Sequence, residues 1–475
     1  MIIEDQFAGL DTLDLAKLVT SRQATALEIT DAVIARIEAL NPVLNFMTTC
    51  DFDRARDRAR NASADTEFSG VPFLMKDMID VGGLPRTDGS KLMLQNVPQQ
   101  NVAYVDAIED AGLNILGLTN VPEFAAGITT DNAVFGATKN PLNPEYSVFS
   151  SSGGSAAAVA SGVVSMAHGT DGGGSNRLPA SATGIFGMKP SRGRMRSGEV
   201  GGEHDIAKTN HVLSRSVRES ALLFSLTEDK TGPIQPVSYV AGPCADRIRI
   251  GYILPNGHVD EDVATAMNKT RDLLSSMGHV LVEVKFPVNI DEFTSAYTAF
   301  FSTRLTLLRQ MIEASTGKPI ANSGLVTPFV ASGAEALRDL SQIQIERKML
   351  YLQSLQDVFG QLFQKVDILL TPVSPVVCPK LDQGAWNRTW NEDLAAEMVT
   401  HLQYTAPINF AGCPAMSVPC AIGSNTRMPV GSHLIAPVGE EKRLFNLAYE
   451  LEAELKPMAN LENMLKRRWA TDQKS

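Results

Sequence analysis

The segment Ser151 to Ser175, SSGGSAAAVASGVVSMAHGTDGGGS, sets two serines in glycine-rich turns at the ends of a run of small apolar residues. A serine hydroxyl is a weak nucleophile until a neighbouring base takes its proton. The turn Gly172-Gly173-Gly174 can adopt positive φ angles closed to other residues and so aim successive backbone N–H groups at one point. Beside Ser175 this suggests an oxyanion hole with Gly172, Gly173, Gly174 and Ser175 as its donors. A flexible linker is the bland alternative, but Ala156-Ala-Ala-Val-Ala160 and Val163-Val-Ser-Met-Ala167 call for burial.

A base is available upstream. Gly70-Val-Pro-Phe-Leu-Met-Lys76 reads as a short buried strand with the lysine at its inner end. Burial disfavours the charged ammonium, so Lys76 can act as a neutral amine. His168 invites a Ser-His reading, but its spacing from Ser175 on a helix-to-turn segment does not set imidazole against hydroxyl, and it reads as a packing residue.

The elements that must position these groups follow an α/β pattern. Thr25-Ala-Leu-Glu28 is a capping box, after which Ile29, Val33, Ile37 and Leu40 recur at helical spacing until Asn41-Pro42. Helices are expected over 103–111, 155–166, 263–277 and 441–455, the last ended by Pro457, and strands over 114–118, 247–253, 279–284 and 366–372. Residues 294–363 are helix-rich. With no repeat and no linker run, the 475 residues read as one domain, 1–475, with a core at 60–200 and a helical elaboration at about 290–365.

A net charge of −11 and a pI near 5.2 argue against a nucleic-acid surface. Arg192, Arg194 and Arg196 read as loop charge. The five cysteines never form CxxC and the seven histidines form no HExxH, so neither a disulfide framework nor a metal site is expected. No signal peptide is expected at MIIEDQFAGL, which is acidic early and lacks a basic stretch before an apolar run, no run reaches the ~20 apolar residues of a membrane span, and a cytoplasmic location is expected. GMKPS lacks the glycine spacing of a P-loop.

Taken together, GVPFLMKDMIDVGGLPRTDGS from Gly70, GLTNVPEFA from Gly117, FGATKNP from Phe135, the two-serine segment and GIFGMKPS from Gly184 strongly resemble the amidase signature family. The likeness continues to AGCPAMSVPC and MPVGSHLIAP. It implies a large mixed central sheet covered by helices on both faces, and a Ser-Ser-Lys triad that falls on Ser175 as nucleophile, Ser151 as proton relay and Lys76 as base. The relay serine is preceded by a cis peptide bond in the family. Matching the Ser-Ser pair before Gly153-Gly154 selects Ser151 from the row Ser150 to Ser152 and gives Ser152 a supporting hydrogen bond. Asp171 and Arg177 fill positions that fix the glycine turn, and Asp77 is expected to anchor a loop. No cofactor or metal is implied.

The chain also departs from the family pattern. Val148-Phe149-Ser150 replaces the usual Pro-Gly-Gly, which is expected to bring Phe149 and Ser150 into the acyl pocket. A loose alignment adds Phe301, within Tyr297-Thr-Ala-Phe-Phe301, and Trp386 and Trp390 are candidates for the pocket entrance. Gly172 stands where a threonine or isoleucine is common in the family, and Asn176 where an aliphatic residue is common. AHGTDGGGSNRLPAS with KPSRGRM is closer to the branch containing the aminohexanoate cyclic-dimer hydrolase than to amidotransferase glutaminases. The function expected is hydrolysis, through an acyl-enzyme, of small, partly apolar or aryl amides, with carbamates, anilides and oligoamides in range. A glutaminase-type component of an amidotransferase is the alternative. Partners are then a small-molecule amide, no nucleic acid and no membrane, with a homodimer left open.

Overall fold

Consecutive residues of a strand face opposite sides of its sheet, and in this protein both sides are apolar. The computed structural model describes residues 5–199, 205–254, 259–336, 340–384 and 386–471. Residues 1–4, the start of the segment read above for a leader, lie outside them. The strands are β1 Met47–Cys50, β2 Pro72–Lys76, β3 Asn114–Thr119, β4 Met166–Asp171, β5 Phe186–Lys189, β6 Thr209–Ser214, β7 Arg249–Tyr252, β8 Val280–Glu283, β9 Ile368–Pro372, β10 Ala415–Ile422 and β11 Pro429–Ile435. Among the described residues they form one 11-stranded mixed sheet in the order β1-β3-β2-β4-β6-β5-β10-β11-β9-β7-β8. Strand β2 lies parallel to both β3 and β4, whereas β4 pairs antiparallel with β6.

The alternation sorts neighbours into separate cores. Phe73 and Met75 pack with Tyr104, Val105 and Phe224, from helices Ala103–Asp110 and Val217–Thr227 on one face. Leu74 packs with Val33, Ile37 and Ala156 to Ala160, from helices Ala26–Leu44 and Gly153–Ala160 on the other. This is the helix-covered mixed sheet expected from the resemblance.

Two boundaries differ from the sequence reading. The helix Ala26–Leu44 runs through Pro42, because a proline in a last turn removes one hydrogen bond and the end is capped independently. Asn45 takes a left-handed conformation with φ 55° and donates to Asn41 O at 2.7 Å, while Asn41 Oδ1 accepts from Phe46 and Met47 N–H at 2.8 and 2.9 Å. The helix expected over 155–166 spans Gly153–Ala160; the chain turns at Ser161-Gly162 and Met166 already belongs to β4. Pro457, in turn, opens a further helix, Pro457–Thr471, where its missing N–H costs nothing.

Arg194 is not loop charge. It is fully buried against Glu441 and Glu228, with Nη2–Oε2 3.0 Å to Glu441. Helices Ile290–Thr316, Pro328–Ala336 and Gln342–Phe363 account for the helix-rich stretch, and Leu352, Leu355 and Phe359 of the last share a core with Leu369, Ala415 and Ile435 of the sheet.

Candidate active site

Because β2 and β4 are parallel neighbours, their carboxyl ends deliver Lys76 and Thr170-Asp171 to the same edge of the sheet. The start of helix Gly153–Ala160 brings the serine row to that edge, and the Ser150–Ser151 peptide is cis. Lys76 is fully buried, and its Nζ lies 2.6 Å from Ser151 Oγ, 2.8 Å from Thr170 Oγ1 and 3.0 Å from Ser152 Oγ. Among the described residues no carboxylate pairs with it. Burial, reinforced by the positive charge of Lys208, holds its pKa well below the ordinary lysine value against the opposing pull of Asp171 and Asp88.

Ser152 is tied into the strand end. Its Oγ lies 3.2 Å from Thr170 O and 3.1 Å from Asn176 Oδ1, either of which can accept its one proton, and its N–H donates to Ser175 O at 3.2 Å. Ser150 Oγ donates to Gly127 O. Asp77 accepts from the Thr87 N–H and hydroxyl and so anchors its loop; burial raises its pKa to about 7 against those bonds. His168 is fully buried, its Nδ1 accepting from Lys76 N–H at 3.3 Å and its Nε2 lying 3.3 Å from Asn210 Oδ1. Burial lowers its pKa to about 3, so it is a neutral packing group.

The glycine turn is held from below by a buried ion pair. Arg177 Nε and Nη2 each donate to Asp171 at 2.8 Å, and Arg177 also reaches Asn409 Oδ1, His433 Nε2 and Thr405 O. Burial alone would raise the Asp171 pKa, but the charge and hydrogen bonds of Arg177, with Asn409, hold it far below the carboxylate range. Of the three glycines only Gly174 takes a positive φ, 130°. Its N–H donates to Asp171 Oδ1 at 2.8 Å, and Gly173 O accepts from Thr405 Oγ1 at 2.7 Å. This corrects one expectation: Gly174 cannot serve as an oxyanion donor while its amide is spent on Asp171. Among the described residues the N–H groups of Gly172, Gly173 and Ser175 have no acceptor within the protein.

A cavity of about 450 Å³ opens over this floor. Ser150, Ser151, Thr170, Gly172, Gly173 and Ser175 face it from the sheet, and Ser175 is half-buried. Its far wall is apolar: Phe300, Phe301, Leu305 and Leu308 from Ile290–Thr316, and Trp390 and Met398 from the segment around Glu392–Leu402. Phe301 and Trp390 stack with centroids 6.4 Å apart. Every cation on the lining has a carboxylate: Arg86 pairs with Asp80 and Asp88, Lys208 with Glu199, and Arg304 with Asp205.

Phe149 is not on this wall, contrary to expectation. It is fully buried in the core beside helix Gly153–Ala160, edge-on to His401 at 5.8 Å, because its backbone turns at φ 57° and sends the ring inward. Trp386 does not line the cavity among the described residues, whereas Trp390 does. Sequence reasoning missed Thr170, for which the strand-end position beside Asp171 was a usable signal. It also missed Thr405, Asn409 and His433, which approach from more than two hundred residues away with no local mark.

The Amidase family model matches residues 28–445 of the chain. A protein of Mycobacterium tuberculosis named AmiC is 31% identical over 470 residues, covering 97% of each protein. A glutamyl-tRNA(Gln) amidotransferase component from Acidothermus cellulolyticus is 31% identical over 483 residues and 93% of each. Among solved structures, 6-aminohexanoate cyclic dimer hydrolase superposes with a TM-score of 0.87 at 26% identity, over 95% of this chain and 98% of that one. A bacterial aryl acylamidase shares the fold, with a TM-score of 0.86 at 23% identity over 97% and 99%.

Proposed function

The chain belongs to the amidase signature family, whose members hydrolyse carbon–nitrogen bonds, and from that premise we propose that it cleaves neutral aryl or apolar amides through a Ser175 acyl-enzyme. The observation that carries this is Lys76, whose charged form burial disfavours and whose Nζ is surrounded by hydroxyls, at the floor of a largely apolar cavity that Ser175 also faces. Ser175 Oγ attacks the substrate carbonyl; its proton passes to Ser151, and the Ser151 proton to Lys76 Nζ. The tetrahedral oxyanion takes hydrogen bonds from the free N–H groups of the glycine turn. Return of the proton through Ser151 to the nitrogen expels the amine, and water then cleaves the acyl ester by the same relay in reverse. Asp171 and Arg177 fix the turn and take no part in proton transfer.

The lining charges favour this substrate class over glutamine. A free amino acid brings an ammonium and a carboxylate that need partners once desolvated, and each lining cation already has one. The amidotransferase reading would require one of these pairs to open. Among the described residues no helix is long and apolar enough to cross a membrane, and the free cysteines suit a reducing cytoplasm. The test is intact mass after treatment with an aryl-chain fluorophosphonate. One adduct, mapped to Ser175 and absent from Ser175→Ala, is expected, with aryl amides turned over faster than glutamine. An adduct on Ser151, or glutamine as the best substrate, overturns the reading.

A further inference from the structure

Gly174 leaves a vacancy in the ring of donors, and a side chain from the helical wall stands beside it. Tyr297, on helix Ile290–Thr316, lines the cavity together with Gly173 and Ser175. A Cβ at Gly173 would meet the Tyr297 hydroxyl oxygen at 2.8 Å and the ring Cζ at 3.7 Å, so the hydroxyl occupies the space that the missing side chain leaves open. The ring is held by aromatic neighbours, stacked on Phe293 at 5.7 Å and edge-on to Phe410 at 6.1 Å. The hydroxyl itself makes no hydrogen bond within the protein among the described residues. A ring so fixed, with a free donor over the nucleophile's turn, has little reason to be tyrosine rather than phenylalanine unless the hydroxyl meets a ligand.

We propose that the Tyr297 hydroxyl is a catalytic donor to the substrate's carbonyl oxygen, joining the N–H groups of Gly172, Gly173 and Ser175 in place of Gly174. The inference rests on Ser175 being the nucleophile. Geometry supports it from the turn as well: the 173–174 peptide is pinned by Thr405 at its carbonyl and by Asp171 at its amide, so it cannot swing to supply the missing bond. Burial pushes the Tyr297 pKa up to about 12, so the proton stays on the oxygen throughout the working range.

The test compares wild type, Tyr297→Phe and Ser175→Ala on a neutral aryl amide. It also measures inhibition by an arylboronic acid, which forms a tetrahedral adduct as the serine oxygen bonds to boron and the serine proton passes to the base. Loss of one such donor is expected to lower kcat in Tyr297→Phe about a hundredfold with KM nearly unchanged, and to weaken the boronate by a similar factor. Turnover in Ser175→Ala would remove the premise itself. An inactive Ser175→Ala beside a Tyr297→Phe with wild-type kcat and boronate affinity overturns only the Tyr297 assignment. If phenylalanine impairs folding, 3,5-difluorotyrosine at 297 keeps the ring and makes the hydroxyl more acidic. A new alkaline loss of kcat then supports the donor, and an unchanged profile refutes it. Steric spacing is separated by Gly173→Ala, whose Cβ would clash with the hydroxyl: recovery of activity in Gly173→Ala/Tyr297→Phe to above the Tyr297→Phe level would overturn the donor role.

Discussion

The floor and the wall of the cavity are built by opposite rules. On the floor, Lys76, Ser151, Ser152, Thr170, Asp171 and Arg177 are all buried and joined by hydrogen bonds, so each group's position is determined by several partners. The helical wall presents mostly apolar side chains, with Arg304 tied to Asp205, and at its rim Leu307 and Met311 are 63% and 64% exposed. A displaced floor atom leaves a buried polar group unpaired; a displaced wall residue only alters how much apolar surface a substrate covers. The difference assigns proton transfer to the floor and, apart from the Tyr297 hydroxyl proposed above, selectivity to the wall, and it orders the consequences of mutation.

The largest effect is expected at Lys76. Lys76→Met removes the base while keeping an unbranched side chain of similar length, and turnover of an aryl amide should fall by about 10⁴-fold or more, as when a member of a serine hydrolase triad is lost. The pH dependence has a fixed sign. The neutral amine is the active form and its pKa is held down by burial, so kcat/KM should be full above that pKa and fall about tenfold per unit below it. A stopped-flow or steady-state profile showing the acid limb in wild type and its absence from the residual activity of Lys76→Met would tie the limb to this residue. Retention of most activity by the variant would dissolve the distinction between floor and wall.

Next comes the ion pair beneath the glycine turn. Arg177→Met leaves Asp171 buried without its cation, for which a loss of about 3–5 kcal/mol in unfolding free energy is expected. The loss should shrink in acid. Without Arg177, burial raises the folded-state pKa of Asp171 above its unfolded value, so the folded variant binds the extra proton and regains stability as pH falls through that raised pKa. Urea unfolding at several pH values measures this. A deficit that stays constant with pH would mean that the pair contributes by packing rather than by charge.

The floor is also the more legible region in the sequence, for the same physical reason. Lys76 closes an apolar strand, Ser175 follows three glycines, and buried strands leave clear patterns; β2, β3 and the helix Ala103–Asp110 lie within a residue or two of where apolar runs put them. What cannot be read are choices made in three dimensions. Gly174 is a plausible donor until Asp171 claims its amide, and Pro42 is a plausible helix end until Asn41 and Asn45 cap the turn beyond it. Thr405 and Asn409 reach the turn from a distant segment that carries no pattern of its own. The wall is legible only as helix-rich, because which helical face meets a cavity depends on the packing of all the others.

Selectivity is therefore where a smaller effect is expected. Phe301 stacks on Trp390 and presents part of its ring to the cavity. In Phe301→Ala the ratio of kcat/KM for a bulky aryl amide to that for a small aliphatic one should drop about tenfold, the worth of a partly buried ring. The acid limb of the pH profile should not move. A shift in that limb with the ratio unchanged would put Phe301 in contact with the floor.

The smallest effect is expected at Phe149, which tests the boundary between the two regions. By sequence it stands next to the serine row, a position that points to the pocket; in the fold its ring is fully buried beside His401 and does not line the cavity. Phe149→Leu keeps most of the apolar volume, so a stability loss of about 1 kcal/mol is expected, measurable by denaturant unfolding. The substrate ratio that Phe301→Ala changes should stay within about twofold of wild type, since a residue without cavity contact has no direct route to discriminate substrates. Thr130 gives this outcome a structural basis: its hydroxyl holds Phe149 O at 2.7 Å, fixing the backbone that leads into Ser150 and Ser151 independently of the ring. A change of ratio in Phe149→Leu as large as that in Phe301→Ala would mean that packing under the serine row reaches the substrate, and the division between reactive floor and selective wall would have to be redrawn through residue 149.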